Sequence, residues 1–229
     1  MNDTTQSASN LLGDPATALL RSAGRRSLAR DAGRLRPMVG ASALRLSSAE
    51  VDALNRTRRS VRDYSDEPLP RDAVSDICRA GAEACDLLEV DDVAGPRWLV
   101  FARAVSHTHP GVYEFRDGQL VAVAAQLSVE TMMWAGMEPL TTAPCIVTPL
   151  WDLGEQLAGH GTDGYLNLLL RTGYSLHQAL VVATRLGVGA CLFRGIHADA
   201  LSAAVGGGRL DSRGFLALSL GLPPGASGR

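Results

Sequence analysis

The feature that most constrains the fold is a long apolar helix pattern from Tyr165 to Gly187. Hydrophobic side chains cover nearly every side of this segment. Such a helix cannot face water all round, so it belongs in a core or at a subunit interface. The run from 188 to 195 that follows reads as a strand closing on a glycine. The rest of the chain must therefore supply a sheet and further helices that cover this helix.

Other segments supply that sheet and those helices. A capping pattern at Ser47 to Glu50 predicts a helix running toward Arg58, and Pro70 predicts the start of the next one. A short helix is predicted over 128–134 and another over 197–205. Strands are predicted over 97–102, 112–115, 119–123, 144–149 and 215–220, with 116–118 as a hairpin turn. The alternation predicts an α+β fold in which helices flank a mixed, mostly antiparallel sheet.

Two regions differ in composition. Residues 1–46 are predicted to form a basic, partly disordered N-terminal arm, and they include six arginines between positions 21 and 36. Residues 47–229 are predicted to form one domain, and a hydrophobic content of 46% over the chain is enough for a full core. The arm reads as solvated surface or as a contact to a partner.

Composition excludes several classes of function. All basic residues are arginine, so a Schiff-base lysine and a P-loop lysine are both absent. A net charge of −2 argues against nucleic-acid binding, and no apolar run has the length of a signal peptide or membrane span. The four cysteines lie inside apolar runs, which favours buried free thiols and a cytoplasmic location.

Three short motifs do not carry chemistry. The Gly187-Val188-Gly189 run follows a helix and opens a strand, so it reads as a helix C-terminus and not as a dinucleotide fingerprint. His107 and His109 have no third ligand of fitting spacing, so no metal site is predicted. Ser175 and His177, two apart on a helix, cannot face each other as nucleophile and base.

A cluster of four arginines between positions 56 and 62 is the strongest candidate for binding chemistry. Arg58, Arg59, Ser60 and Arg62 stand where a helix pattern ends and a proline-rich turn begins. Arginine can hold phosphate or carboxylate oxygens bidentately and keeps its charge at every working pH. The residues alone leave two interpretations open, an anion clamp or a solvated basic helix end.

The order of this cluster, the long helix and the strands resembles the nitroreductase-type FMN fold over about residues 48–223. The runs Gly111-Val112-Tyr113-Glu114-Phe115 and Gly118-Gln119-Leu120, with the segment 164–174, resemble the branch of SagB/McbC-like enzymes that oxidise azolines in peptides. The resemblance implies a homodimer with the long helix at its interface, and FMN as the cofactor.

The resemblance also implies roles for individual residues. Arg58, Arg59 and Ser60 match positions that hold the FMN phosphate, and Arg62 matches a basic group near the pyrimidine edge of the flavin. The residues that match a segment passing along the flavin ring are Leu192, Phe193, Arg194 and Gly195. Ordinary packing at a strand end is the alternative for these four.

The chain departs from the branch in two places. Residues 86–92 are predicted to form an acidic, leucine-containing loop at the place where the family has a flavin-contacting loop rich in small residues and amides. The branch also has a Lys-Tyr pair where this chain has Gly159-His160. Of the remaining groups, His160 and Tyr165 are the candidate catalytic bases for aromatisation. A loop histidine with no role is the alternative.

Three functions follow from these observations. The first is an FMN-dependent dehydrogenase that converts a peptide or carrier-bound azoline into a thiazole or oxazole, alone or with a partner subunit of a biosynthetic complex. The second is an NAD(P)H-dependent nitro- or quinone reductase. The third is a degenerate subunit that supports a peptide-modifying complex without catalysis.

Overall fold

A computed structural model describes residues 47–88, 94–124, 140, 142–196, 201, 205, 212–214 and 216–225. The predicted arm 1–46, the predicted helix 128–134, residues 89–92 of the altered loop and most of 197–205 lie outside these residues. The helices are α1 (Ser48–Thr57), α2 (Arg71–Leu87) and α3 (Leu153–Arg185). The strands are β1 (Arg97–Ala102), β2 (Gly111–Arg116), β3 (Gln119–Ala124), β4 (Cys145–Asp152), β5 (Gly189–Phe193), β6 (Ser212–Arg213) and β7 (Ala217–Gly221).

The strands form one sheet in the order β3-β2-β1-β4-β7-β5, with β6 paired to β4. All of these pairs are antiparallel, and two isolated parallel bridges join Ser60 to Ala190 and Leu69 to Val105. The predicted α+β class with a mostly antiparallel sheet is confirmed.

The sheet is covered on both faces. Alternate residues of β1 belong to different cores: Val100 packs with α2 and α3, while Leu99 and Phe101 pack with the opposite cluster. Because side chains of a strand alternate between faces, a strand buried on both sides reads as a continuous apolar run. This explains why 97–102 was recognisable as a strand from sequence.

The helix α3 differs from the predicted one in two respects. It begins at Leu153, where the Asp152 side chain accepts a hydrogen bond from the Glu155 N–H at 3.1 Å, and it kinks at Gly161 (φ 53°, ψ −133°). The predicted start at Tyr165 was wrong because the glycines before it interrupt the apolar pattern. Burial of the helix is also incomplete in the single chain, since Leu170 is 69% exposed and Leu166 is 40% exposed.

Two local predictions, those for Gly187 and for the cysteines, are confirmed. Gly187 ends α3 with a φ of 72°, a conformation that glycine adopts at helix C-termini. All four cysteines are free and buried. His107 and His109 are exposed loop residues, and no cluster of metal-binding side chains occurs among the described residues. Within the same residues, no helix is both long and apolar enough to cross a membrane.

Candidate functional site

The arginine cluster lies where α1 ends. At the start of that helix, the Ser47 N–H donates to Glu50 Oε2 at 2.7 Å and the Glu50 N–H donates to Ser47 Oγ at 3.3 Å, which completes a capping box. At its end, Arg58 is the C-cap residue and its N–H donates to the Leu54 carbonyl at 2.8 Å. The helix thus ends at Thr57, and residues 58–62 continue from it in a non-helical conformation.

Arg59 turns back onto the end of α1. Its Nη1 donates to the carbonyls of Arg56 at 3.0 Å and Arg58 at 2.9 Å. The C-terminal end of a helix carries a partial negative charge, which repels an anion. Any anion at this place is therefore held by the arginine side chains and not by the helix end, and Arg59 offsets the unfavourable carbonyls.

The four arginines have no acidic partner in the described part of the chain. Arg56, Arg59 and Arg62 are exposed and Arg58 is half-buried. None of them lies within 4.0 Å of a carboxylate oxygen among the described residues, whereas the ion pairs found there join Arg79, Arg97 and Arg116 to acids. A concentrated, uncompensated positive charge of this kind attracts a multiply charged anion.

The arginine segment, residues 58–62, runs beside the edge strand β5. Ser60 forms a parallel bridge with Ala190, and the Val61 N–H donates to the Ala190 carbonyl at 3.0 Å. Gly189 allows this approach, because a Cβ atom there would lie 2.9 Å from Val61 Cγ1. Two segments that the sequence separates by about 130 positions, and that were both predicted to contact FMN, are thus neighbours.

The four predicted contact residues at the end of β5 fall into two groups. Leu192 and Arg194 are exposed, so their side chains are accessible to a ligand. Phe193 is buried among Ile196 and Leu201 and belongs to the core. Gly195 is buried and has no side chain to obstruct a close approach.

A hydroxyl network that sequence reasoning missed ties the arginine segment to the sheet. Tyr64 Oη donates to the Val61 carbonyl at 2.8 Å and lies 2.7 Å from Ser219 Oγ on β7. Burial raises the pKa of Tyr64 to about 12, with the Ser219 hydrogen bond acting in the opposite direction. No local sequence signal links these residues, which are 155 positions apart.

The predicted catalytic pair is not brought to the arginine segment within one chain. His160 and Tyr165 flank the kink in the first half of α3, and both are exposed. At the other end, the Val188 N–H donates to the Ala183 carbonyl at 2.9 Å just before β5 begins. About 27 Å of helix separates Tyr165 from Ala183 at ~1.5 Å per residue. The pair and the arginine segment therefore lie toward opposite ends of α3.

A buried arginine, also missed from sequence, occupies the middle of α3. Arg171 is 1% exposed, and its guanidinium carbon lies 4.9 Å from the ring centre of Trp151. Its Nε and Nη1 have no hydrogen-bond acceptor among the described residues. Burial raises the pKa of the nearby Cys85 thiol to about 11, although Arg171 acts to lower it. The thiol therefore stays protonated and does not neutralise the arginine.

The serine hydrolase alternative has no support in the geometry. Ser175 is fully buried in α3, and its hydroxyl donates to the Thr172 carbonyl at 3.1 Å. This hydroxyl satisfies the helix backbone and does not face a base.

Comparisons with known proteins agree with this architecture. A family profile described as the nitroreductase family matches residues 56–221. No curated protein sequence matches significantly. Over 76% of this chain, the fold is similar to that of an Anabaena variabilis protein assigned as a nitroreductase, at 18% identity and a TM-score of 0.63, although this chain spans only 38% of that protein.

Two further structures are informative. A protein of the E. coli microcin synthetase McbBCD complex, solved with truncated pro-MccB17 bound, is similar over 91% of this chain and 93% of its own, at 14% identity and a TM-score of 0.58. A Desulfovibrio desulfuricans protein assigned as a nitroreductase, solved in complex with FMN, is similar over 78% and 90%, at 19% identity and a TM-score of 0.52. At these identities the likeness concerns the fold.

Proposed function

The chain belongs to the nitroreductase family of FMN-dependent oxidoreductases, and from that premise we propose that it oxidises azoline rings in peptides to thiazoles or oxazoles. The observation that supports the cofactor assignment is the pairing of residues 60–61, which lie within the cluster of four arginines, with β5. The observations that support the substrate class are the runs 111–120 and 164–174, which resemble azoline-oxidising enzymes.

The residues of the arginine segment fit the phosphate end of FMN. Arg58, Arg59 and Ser60 supply charged and hydroxyl donors, and hydrogen bonds from arginine to phosphate are among the strongest that proteins make. The Nη1 of Arg59 is engaged with helix carbonyls, which leaves its Nε and Nη2 for the anion. Arg62 lies further along the same segment and would place a positive charge near the flavin ring, where it favours electron uptake.

The exposed side chains at the end of β5 fit the ring system. Leu192 offers an apolar surface, and Arg194 adds a positive charge to those of the arginine segment. Gly195 permits the close approach of a planar group. FMN, when bound, supplies the two-electron acceptor that the oxidation of an azoline requires. The part of the reaction that remains for the protein is the removal of a proton from the ring carbon.

His160 is the proposed base for that proton. A neutral imidazole accepts a proton near working pH, and the exposed position of His160 beside the kink is open to a peptide. Tyr165 lies one turn further along α3 and would orient the peptide or assist the transfer. Since both residues lie far along α3 from the arginine segment, we assign them to the FMN of the partner subunit in a homodimer.

The exposed leucines of α3 support this homodimer. Leu166, Leu169 and Leu170 lie on one side of the helix and are 40%, 36% and 69% exposed in the single chain. An isologous contact would bury these side chains against their copies and bring each catalytic pair toward the other subunit. The azoline itself would arrive on a peptide or a carrier, with or without a further subunit of a biosynthetic complex.

A reductase that uses NAD(P)H is the second candidate, favoured by the absence of the Lys-Tyr pair of the azoline-oxidising branch. The two functions differ in the molecule that delivers electrons. We would mix the purified protein anaerobically with a synthetic thiazoline peptide and, separately, with NADPH, and follow the absorbance of the flavin. Bleaching by the peptide alone supports azoline oxidation, and bleaching by NADPH alone supports the reductase. A colourless protein that gains no FMN on reconstitution would support a non-catalytic subunit.

A further inference from the structure

Tyr64 occupies the junction between the arginine segment and the sheet. Its hydroxyl lies 2.8 Å from the Val61 carbonyl oxygen, to which it donates, and 2.7 Å from Ser219 Oγ. The Val61 carbonyl belongs to the peptide unit that leads into Arg62. A hydrogen bond to this oxygen therefore fixes the backbone directly after Ser60, the last of the three residues assigned to the phosphate.

Ser219 extends the connection to β5. It is fully buried on β7, and its hydroxyl lies 3.2 Å from the Cys191 carbonyl, which accepts from it. Since Tyr64 gives its one proton to Val61, the single Ser219 proton serves either Tyr64 Oη or the Cys191 carbonyl, and the two contacts place the Ser219 hydroxyl between the arginine segment and β5. These elements include both segments assigned to FMN above.

Packing and main-chain bonds hold the Tyr64 ring in the same place. A Cβ atom on Gly221 would lie 2.6 Å from Tyr64 Cδ1, so the ring lies directly on the backbone of β7. The Val61 N–H donates to Ala190 and the Ser65 N–H donates to the Leu222 carbonyl at 2.8 Å. Main-chain hydrogen bonds thus fix the backbone before and after Tyr64. The Tyr64 hydroxyl adds a side-chain contact to the sheet between these two hydrogen bonds.

We propose that Tyr64 is a positioning residue that fixes the arginine segment against β5 in the geometry needed to hold the phosphate of FMN. The inference rests on the proposed assignment of this segment to FMN. It goes beyond that assignment because Tyr64 itself offers no charge and need not touch the cofactor. Hydrogen bonds that pre-order a loop reduce the entropy lost when a ligand binds, and removing one weakens binding without removing a ligand contact.

The test compares FMN with riboflavin, which has the same ring system and no phosphate. Tyr64→Phe keeps the ring on β7 and deletes only the hydroxyl. We expect its FMN affinity to fall about tenfold, the scale of one lost hydrogen bond, with riboflavin affinity changed less than about twofold. Both affinities are measured by flavin fluorescence titration. A loss that comes from general destabilisation would lower both affinities together.

Two further variants complete the experiment. Tyr113→Phe is the matched control, because the Tyr113 hydroxyl also donates to a single carbonyl, that of His109 at 2.7 Å, but lies on β2. It should leave both affinities unchanged. Ser219→Ala removes the hydroxyl that lies between Tyr64 and β5 while it leaves the Tyr64 hydroxyl in place, and it should lower FMN affinity selectively. This second variant also decides the question if Tyr64→Phe does not fold.

The possible failures are distinguishable. A wild-type protein that binds FMN no better than riboflavin would overturn the phosphate assignment and the role of Tyr64 with it. A wild-type protein that prefers FMN, together with Tyr64→Phe and Ser219→Ala variants that keep the same preference, would overturn the role of Tyr64 alone.

Discussion

The separation of His160 from the arginine segment predicts that two inactive variants restore each other's activity. One variant carries Arg58→Ala and Ser60→Ala and cannot hold FMN, while the other carries His160→Gln and lacks the base. Within one chain the two sites lie toward opposite ends of α3, with about 27 Å of helix between Tyr165 and Ala183. A heterodimer of the variants would then combine the intact FMN site of one subunit with the intact histidine of the other.

The expected magnitudes follow from this arrangement. Loss of a positioned general base lowers turnover by about 10²–10⁴-fold, so the His160→Gln homodimer is nearly inactive although it retains FMN. In a purified heterodimer one of the two symmetry-related sites is complete, so its turnover should be about half that of the wild type. A site built within one chain would give no recovery, because neither subunit has both parts.

The assay uses co-expressed chains with two different affinity tags, purified in succession to isolate the heterodimer. Loss of two hydrogens from a synthetic thiazoline peptide is followed by mass spectrometry. The FMN concentration is kept below the dissociation constant of the Arg58→Ala/Ser60→Ala variant. Heterodimer activity no higher than that of the two homodimers would refute the action of His160 across the interface. Full activity of the His160→Gln homodimer would refute its role as a base, and Tyr165→Phe would then be the next variant.

Three further outcomes are expected. Gly189→Ala should push the arginine segment away from β5 and lower FMN affinity about tenfold in a fluorescence titration, the scale of a lost hydrogen bond, whereas Gly173→Ala, whose added Cβ would meet no atom within 4 Å, should not. Burial raises the pKa of Glu114, but hydrogen bonds from two arginines outweigh it and hold the pKa below its ordinary value of 4.5, so this stabilisation is present above about pH 4.5 and is lost as pH falls through the lowered pKa. Glu114→Gln should therefore reduce the unfolding free energy at pH 7 by about 1–3 kcal/mol in urea denaturation and flatten its decline in acid. Arg171→Met removes a buried charge with two unpaired nitrogens while keeping contact with the tryptophan ring, so it should raise the unfolding free energy by about 1–3 kcal/mol, and a fall would reveal an acceptor beyond the described residues.

Elements with local signals were predictable from sequence. The capping box at Ser47 and Glu50 fixes the start of α1 through contacts three residues apart, and the turn at Asp117-Gly118 joins two apolar strands. The continuous apolar run of β1 follows from its burial on both faces. Each of these signals depends on neighbouring residues, so no knowledge of the tertiary fold was needed.

Features that depend on distant residues were not predictable from local pattern. The kink at Gly161 allowed α3 to continue through glycines that would ordinarily end a helix, and the two-residue β6 exists only because β4 lies beside it. The network between Tyr64 and Ser219 joins parts of the chain that only the folded sheet brings together.

The candidate site was predictable to the same extent. The resemblance predicted FMN contacts in residues 58–62 and 192–195, because each segment has its own short motif. In the structure the bridge between Ser60 and Ala190 makes these segments neighbours. It also named His160, but a sequence does not show which subunit a residue serves. The buried Arg171 was missed, since the apolar pattern of α3 gave no reason to expect a charged residue facing its core.

The central claim is that residues 58–60 hold the phosphate of FMN, and flavin titration of the double variant Arg58→Ala/Ser60→Ala tests it most directly. The wild type should bind one FMN per chain. Loss of two charge-assisted hydrogen bonds, at roughly 1.5–3 kcal/mol each, should weaken FMN binding about a hundredfold or more and leave riboflavin binding nearly unchanged. An FMN affinity equal to that of the wild type would contradict the account.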